Sequence, residues 1–163
     1  MIRHSMRALC AAALVIAPIA LTATPAHAVT CTVNGATVTA DVVMGTPGND
    51  VIRCGTVPDG HQVNGVAGND SISVTGDVAG LVTGGPGSDH ITVSGSLDTG
   101  TVSGNDASDY IAVQGTVGPG SAVTGGLGND ILRVNVNNGT VDGAGGFDSC
   151  RVTTGAPPVN CEY

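Results

Sequence analysis

Hydrophobic and polar residues follow two periods at once in this chain. Over short stretches they alternate, as in Asp70-Ser-Ile72-Ser-Val74 and Asp89-His-Ile91-Thr-Val93. Alternating β-branched and polar residues predict a short strand with one buried face. Over longer stretches the whole pattern returns every 18 to 21 residues. An aliphatic residue or cysteine stands two places after a recurring aspartate (Ile52, Ile72, Ile91, Ile111, Leu132, Cys150), and another stands four places after it (Cys54, Val74, Val93, Val113, Val134, Val152). A valine stands two places before the glycine that opens each preceding turn (Val43, Val63, Val82, Val102, Val123, Val141). The second half of each unit is looser: an apolar residue (Val57, Val78, Leu97, Val117, Val136) precedes a turn glycine (Gly60, Gly80, Gly100, Gly120, Gly139).

Rows that hold register over six units are the mark of stacked supersecondary units. The expected fold is all-β: a parallel β-roll or β-solenoid of about six coils, each made of turn, strand, turn, strand. Neighbouring coils would lie ~4.8 Å apart and bury their inward Ile and Val against one another. An antiparallel sandwich is the alternative, although it would not require so constant a period. The expected organisation is a secretory signal at 1–28, an N-terminal cap at 29–42, repeats at 43–152 and a C-terminal cap at 153–163.

The signal is read from Arg3 and Arg7, the apolar run Ala8 to Leu21 and the small-x-small site Ala26-His27-Ala28. It implies a secreted chain, Val29 to Tyr163, with no later segment able to span a membrane. Repeats and caps fill that chain, so a free-standing solenoid is expected rather than an export tag on a larger protein. Cys10 falls within the signal. Four cysteines remain, and an oxidising location predicts two disulfides. Cys54 lies in the first coil and Cys150 in the last, five steps or ~24 Å apart at ~4.8 Å per step. A disulfide tolerates a Cα separation of only ~7 Å. The expected pairs are therefore Cys31–Cys54 and Cys150–Cys161, stapling the two ends.

Charge then narrows the chemistry. After Ala28 there are three arginines (Arg53, Arg133, Arg151), no lysine, twelve Asp and one Glu, a net charge of 3 − 13 = −10. That balance argues against nucleic acid and anionic lipid as partners and suits cations. Aromatic residues are almost absent, which fits a thin core of stacked aliphatics better than a globular one. Disorder, the other reading of a Gly-rich acidic chain, is opposed by the regular rows.

The recurring aspartates are Asp50, Asp70, Asp89, Asp109, Asp130 and Asp148, and each closes a glycine-rich turn. Stacking sets them in file, where neighbouring carboxylates repel by roughly 1 kcal/mol in water and about 3–4 kcal/mol at an effective dielectric near 20. Three arginines cannot neutralise the file. Either a cation does so or the side chains splay into solvent. Carboxylates and exposed carbonyls form an all-oxygen donor set that selects Ca²⁺ over zinc, copper or Mg²⁺. The bland alternative is turn chemistry alone, since Asn and Asp cap their own backbones.

The turns resemble the haemolysin-type, or RTX, calcium-binding repeat, Gly-Gly-x-Gly-x-Asp-x-aliphatic-x. Gly84 to Thr92 and Gly125 to Arg133 match it in full, the turns at Gly45 and Gly65 lack the second glycine, and that at Gly143 has Ala144 there. The turn at Gly104 departs most, with Asn105 and Ala107 replacing glycines and Asp106 adding a carboxylate. The resemblance implies ions held between successive turns by motif aspartates and turn carbonyls. The implied sites draw on Gly45, Gly48 and Asp50; Gly65, Gly68 and Asp70; Gly84, Gly85, Gly87 and Asp89; Gly104, Asp106 and Asp109; Gly125, Gly126, Gly128 and Asp130; and Gly143, Gly145 and Asp148. The family's repeat is nine residues, with motifs on both edges. Here the second turns carry only scattered Asp59, Asp77 and Asp98, so one calcium edge is expected, with at most five ions between six rungs. Five sites of Kd ~10⁻⁴ M in ~1 mM Ca²⁺ would contribute roughly 7 kcal/mol, comparable to the stability of a whole domain.

The expected function is that of a secreted calcium-binding structural or adhesive protein, taking a cell-surface or polysaccharide ligand, with its oligomeric state open. A carbohydrate-active β-solenoid enzyme is the first alternative. His61 and His90 are expected on different coil edges as solvated side chains, and no serine or cysteine has a recognisable base partner, so no catalytic residue is assigned. A calcium-independent surface-binding solenoid is the second alternative.

Overall fold

A computed structural model describes residues 28–162 of the chain; the secretory-signal reading lies outside these residues except for Ala28. The fold is a parallel β-solenoid of about six turns with no helix among the described residues. Its strands are β1 (Val29–Val33), β2 (Ala36–Ala40), β3 (Val42–Met44), β4 (Val51–Cys54), β5 (Gln62–Asn64), β6 (Ser71–Val74) and β7 (Leu81–Pro86). They continue with β8 (His90–Val93), β9 (Thr101–Asp106), β10 (Tyr110–Val117), β11 (Ala122–Leu127), β12 (Ile131–Asn137), β13 (Thr140–Gly145) and β14 (Ser149–Gly155).

From β3 onward, odd strands and even strands separate into two sheets. One holds six strands in the order β13-β11-β9-β7-β5-β3, and the other holds β14-β12-β10-β8-β6-β4, extended by β1 and β2. Register is set by the aliphatic rows. Ile52, Ile72, Ile91, Ile111, Leu132 and Cys150 are direct partners along one sheet, and Val82, Val102, Val123 and Val141 along the other. These side chains are buried and form one cluster running the length of the molecule. A one-residue slip would turn every one of them outward, so the register is strongly specified.

At the second turn a third row, Val57, Val78, Leu97 and Val117, pairs through isolated parallel bridges. The expected continuation, Val136, is displaced by one. Val117 pairs with Asn137, which is fully buried, while Val136 is only half-buried. The Asn137 side chain bonds to the Ala156 carbonyl at 3.0 Å and accepts the Gly139 N–H at 3.1 Å, so the polar group is satisfied.

The ends are closed differently from the middle. Asn34 and Gly35, both at positive φ (50° and 85°), turn β1 back on β2 as an antiparallel hairpin, and β1 lies antiparallel to β4 with Cys31 opposite Cys54. The Cys31–Cys54 and Cys150–Cys161 disulfides form as the spacing requires, with Cα separations of 4.2 and 5.7 Å. Two disulfides imply oxidising surroundings.

Ile91 sits mid-stack with no exposed surface. Ile91→Ala is expected to lower unfolding free energy by about 2–5 kcal/mol, read from denaturant midpoints at constant m. A loss below about 1 kcal/mol would mean that the stack is not tightly packed at its centre.

Candidate functional site

The alternation that buries Ile72 and Val74 extends back two residues and puts Asp70 on the same inward side. All six motif aspartates are buried, none more than 3% exposed. Nor do they splay outward. Each turns in, and the five after Asp50 tie themselves to the preceding rung. The backbone N–H of Asp50 donates to Asp70 Oδ1 at 2.8 Å, that of Asp70 to Asp89 at 2.7 Å, and that of Asp89 to Asp109 at 2.7 Å. Asp109 donates likewise to Asp130 and Asp130 to Asp148, both at 2.8 Å. The next rung also returns a bond: the N–H of Ser71, His90, Tyr110, Ile131 and Ser149 each reaches the carbonyl of the preceding motif aspartate at 2.8 Å.

Side chains outside the motif close the file at both ends. Asn34 Nδ2 donates to Asp50 Oδ1, replacing the absent rung before it. Glu162 Oε2 accepts the Asp148 N–H, replacing the absent rung after it, while the Glu162 N–H bonds the Asp148 carbonyl at 2.8 Å. Sequence reasoning missed both. Glu162 follows Asp148 by 14 residues instead of a full period, and only its being the sole glutamate and its place beside Cys161 mark it.

The other carboxylate oxygen is left over. Oδ2 of Asp70, Asp89, Asp109, Asp130 and Asp148 is buried without a hydrogen-bond partner. Each lies against the first glycine of its own turn. A Cβ on Gly65, Gly84, Gly104, Gly125 or Gly143 would come within 2.0–2.6 Å of that oxygen. On Gly65, Gly104 and Gly125 the same Cβ would also meet the carbonyl oxygen of the next turn's first glycine, at 2.5–2.7 Å. Asn160 supplies that carbonyl for Gly143, at 2.1 Å. The opening glycines are therefore required because a carboxylate oxygen and a carbonyl oxygen converge beside them.

Electrostatics register this crowding. Burial pushes Asp70 and Asp130 above the usual carboxylate range, Asp89 up to about 6 and Asp109 up to about 7. Neighbouring carboxylates add to each rise, and the bond from the preceding rung's N–H partly offsets it. Asp50 is instead held below the usual range, chiefly by the Thr46 N–H, with Asn34 assisting.

The degenerate turns keep the geometry of the full matches. The second turn position has positive φ at Gly85 (116°) and Gly126 (117°), and also at Val66 (88°), Asn105 (87°) and Ala144 (73°). The fourth has it at Gly68, Gly87, Gly128 and Gly146, and at Ala107 (77°) in the Gly104 turn. Only the first turn departs, since neither Thr46 nor Gly48 has positive φ. Asp106 does not join the file. It is exposed, in register with Pro86 and Leu127, and reaches Asp109 only as one more unfavourable charge. Gly145 pairs with Leu127 on the turn's outer side.

The donors brought together fit an oxygen-seeking cation: orphaned carboxylate oxygens in line, with glycine carbonyls beside them. Because the carboxylates are spaced one per rung, no three acidic, histidine or cysteine side chains converge on one point among the described residues. Any ion here would draw much of its coordination from carbonyls. His61, expected to be solvated, is buried at the second turn, with Nδ1 2.9 Å from the Asp59 carbonyl and Nε2 3.4 Å from Asp41 Oδ1. His90 is exposed on a sheet face, not on an edge.

Two outcomes are expected. Val66 is β-branched at φ 88°, which is strained, so Val66→Gly should raise stability by about 1 kcal/mol in denaturant titration. The raised aspartates are neutral in the folded state at low pH. The stability they supply is complete below the unfolded carboxylate pKa and is lost as pH climbs through about 6 for Asp89 and about 7 for Asp109. Asp50 opposes them only at acid pH, because its contribution disappears as pH falls through its lowered pKa. In chelator the melting temperature should therefore fall from pH 5 to pH 8; a flat or rising profile would count against buried carboxylates. No family model, curated protein or solved structure matches the chain.

Proposed function

We propose that the chain is a secreted calcium-binding β-roll of the haemolysin-type repeat kind, structural or adhesive in role and not catalytic. The observation that carries the reading is the row of buried Oδ2 atoms left without a hydrogen-bond partner beside glycine carbonyls. A buried carboxylate oxygen needs a proton, a donor or a cation. At extracellular pH a proton can serve only the most perturbed members, and no N–H is aimed at the others. Asp70, Asp89, Asp109, Asp130 and Asp148, with the carbonyls of Gly65, Gly84, Gly125 and Gly143, would hold the ions. Bound calcium supplies positive charge that cancels the repulsion along the file, and so it acts as folding free energy. The signal-like N-terminus and the two disulfides support an extracellular setting. The regular Oδ1 ties favour a second reading to a lesser degree: a calcium-independent solenoid held by its aspartate ladder alone.

Asp109→Asn separates the two. An Asn oxygen keeps the bond from Asp89, its charge is gone, and its NH₂ can donate to the Gly125 carbonyl. In chelator the variant should melt at or above the wild type, by up to several degrees. In millimolar calcium it should melt below the wild type and bind at least one ion fewer by equilibrium dialysis. Dialysis that counts no calcium on the wild type, or identical melting with and without chelator, would leave the ladder-only reading standing.

A further inference from the structure

All three cationic side chains of the described residues share one column on the outer face of the larger sheet. In register the column runs Arg53, Ser73, Thr92, Ala112, Arg133, Arg151. Arg133 and Arg151 are adjacent cross-strand partners, both exposed, and neither has a carboxylate within ion-pair distance among the described residues. Two arginines on adjacent rungs without a counter-charge, on a chain of net charge −10 after residue 28, form a positive spot.

The surroundings shape that spot into a cleft. His90 and Tyr110, in the neighbouring column, stack with ring centroids 4.6 Å apart and planes within 5°. The Arg133 guanidinium carbon stands 5.8 Å from the Tyr110 ring centroid, within cation–π reach. Between Val113 and Thr116 the register of β10 against β12 slips, and such a bulge bends the strand and re-aims its side chains. Ala112, the smallest residue of its column, leaves room next to Arg133. The result is an open cleft of about 400 Å³ bordered by Tyr110, Gln114, Arg133, Asn135, Arg151 and Thr153.

We infer that this cleft binds uronate-bearing polysaccharide. A guanidinium fork matches a carboxylate bidentately, and two arginines border the cleft. Tyr110, stacked on His90 with the Arg133 guanidinium over its ring, holds that guanidinium at the border of the cleft. Gln114, Asn135 and Thr153 present both donors and acceptors, as sugar hydroxyls require. A dense polyanion is a poor match. Nucleic acid gains affinity by neutralising many phosphates, whereas two adjacent cations on an acidic protein offer few such contacts. A glycan with isolated carboxylates needs no more than one such pair.

The inference rests on the adhesive part of the proposed function and not on calcium. It is tested by calorimetric titration of the full disulfide-bonded chain, at fixed free calcium, with short xylo-oligosaccharides that each carry a single glucuronate. Saturable binding is expected. Arg133→Ala and Arg151→Ala should each weaken it about tenfold or more, as loss of a charge-assisted hydrogen-bonded contact does. Arg133→Lys should not restore it, because an ammonium cannot form the bidentate pair. Tyr110→Ala should weaken it also, because Arg133 loses its cation–π contact. Arg53→Ala, in the same column but remote from the cleft, should bind as the wild type does. The arginines are exposed and Tyr110 is half-buried, and unchanged melting temperatures will confirm folding. Absence of saturable binding would overturn the inference. So would equal affinity for neutral dextran or a short oligothymidylate, or equal losses in Arg53→Ala. Asp109→Asn in the same titration should retain the glycan while dialysis records its lost ion, so failure of the calcium reading and failure of this one are told apart.

Discussion

The structure depends on a conflict between close packing and charge. Burying the Ile and Val rows requires neighbouring coils to approach at strand spacing. The same approach brings six carboxylates into single file inside the molecule. One oxygen of each of the five after Asp50 finds an N–H on the rung before it, which turns half of a repulsive array into a cross-linking one. The other oxygen is what remains of the conflict. The opening glycines, the left-handed turn residues and the perturbed titration of Asp89 and Asp109 all follow from giving it room without giving it a partner.

The two edges of the coil solve the same stacking problem by different means. The edge holding Val57, Val78, Leu97 and Val117 is mainly aliphatic, and neighbours in this row pair from rung to rung. It tolerates variation: one rung slips by a residue and buries Asn137, whose amide is satisfied locally. The aspartate edge tolerates less. Val66, Asn105, Ala107 and Ala144 adopt a backbone conformation that suits glycine. Neighbouring rungs therefore impose the turn shape even where the local residue disfavours it.

Much of this could be read from the residues alone, because inward aliphatics recur at fixed offsets from the aspartate. Strand positions, parallel stacking and the disulfide partners Cys31–Cys54 and Cys150–Cys161 are all consequences of one period. The orientation of the aspartates was legible as well, since Asp70 shares parity with Ile72 and Val74, but a charged residue at a turn invites the assumption that it faces water. The caps were harder. The antiparallel return of β1 hinges on two residues, Asn34 and Gly35, outside the repeat. Glu162 reaches the ladder through a shortened segment that no period marks. The cleft near Arg133 was hidden for a similar reason, because it arises from a local slip between β10 and β12 that leaves the hydrophobic rows unchanged.

The hydrogen-bond file along the aspartates has a polarity. Every internal rung gives a donor to the rung after it and offers an acceptor to the rung before it, and only Asn34 and Glu162 terminate the sequence. Middle rungs are thus equivalent to one another, while the termini are unique. Gene duplication or deletion within this chain can lengthen or shorten the rod by complete windings with both stoppers intact, whereas a fractional winding would throw every downstream rung out of phase. Evolution acting on such a molecule is confined to integer steps in length.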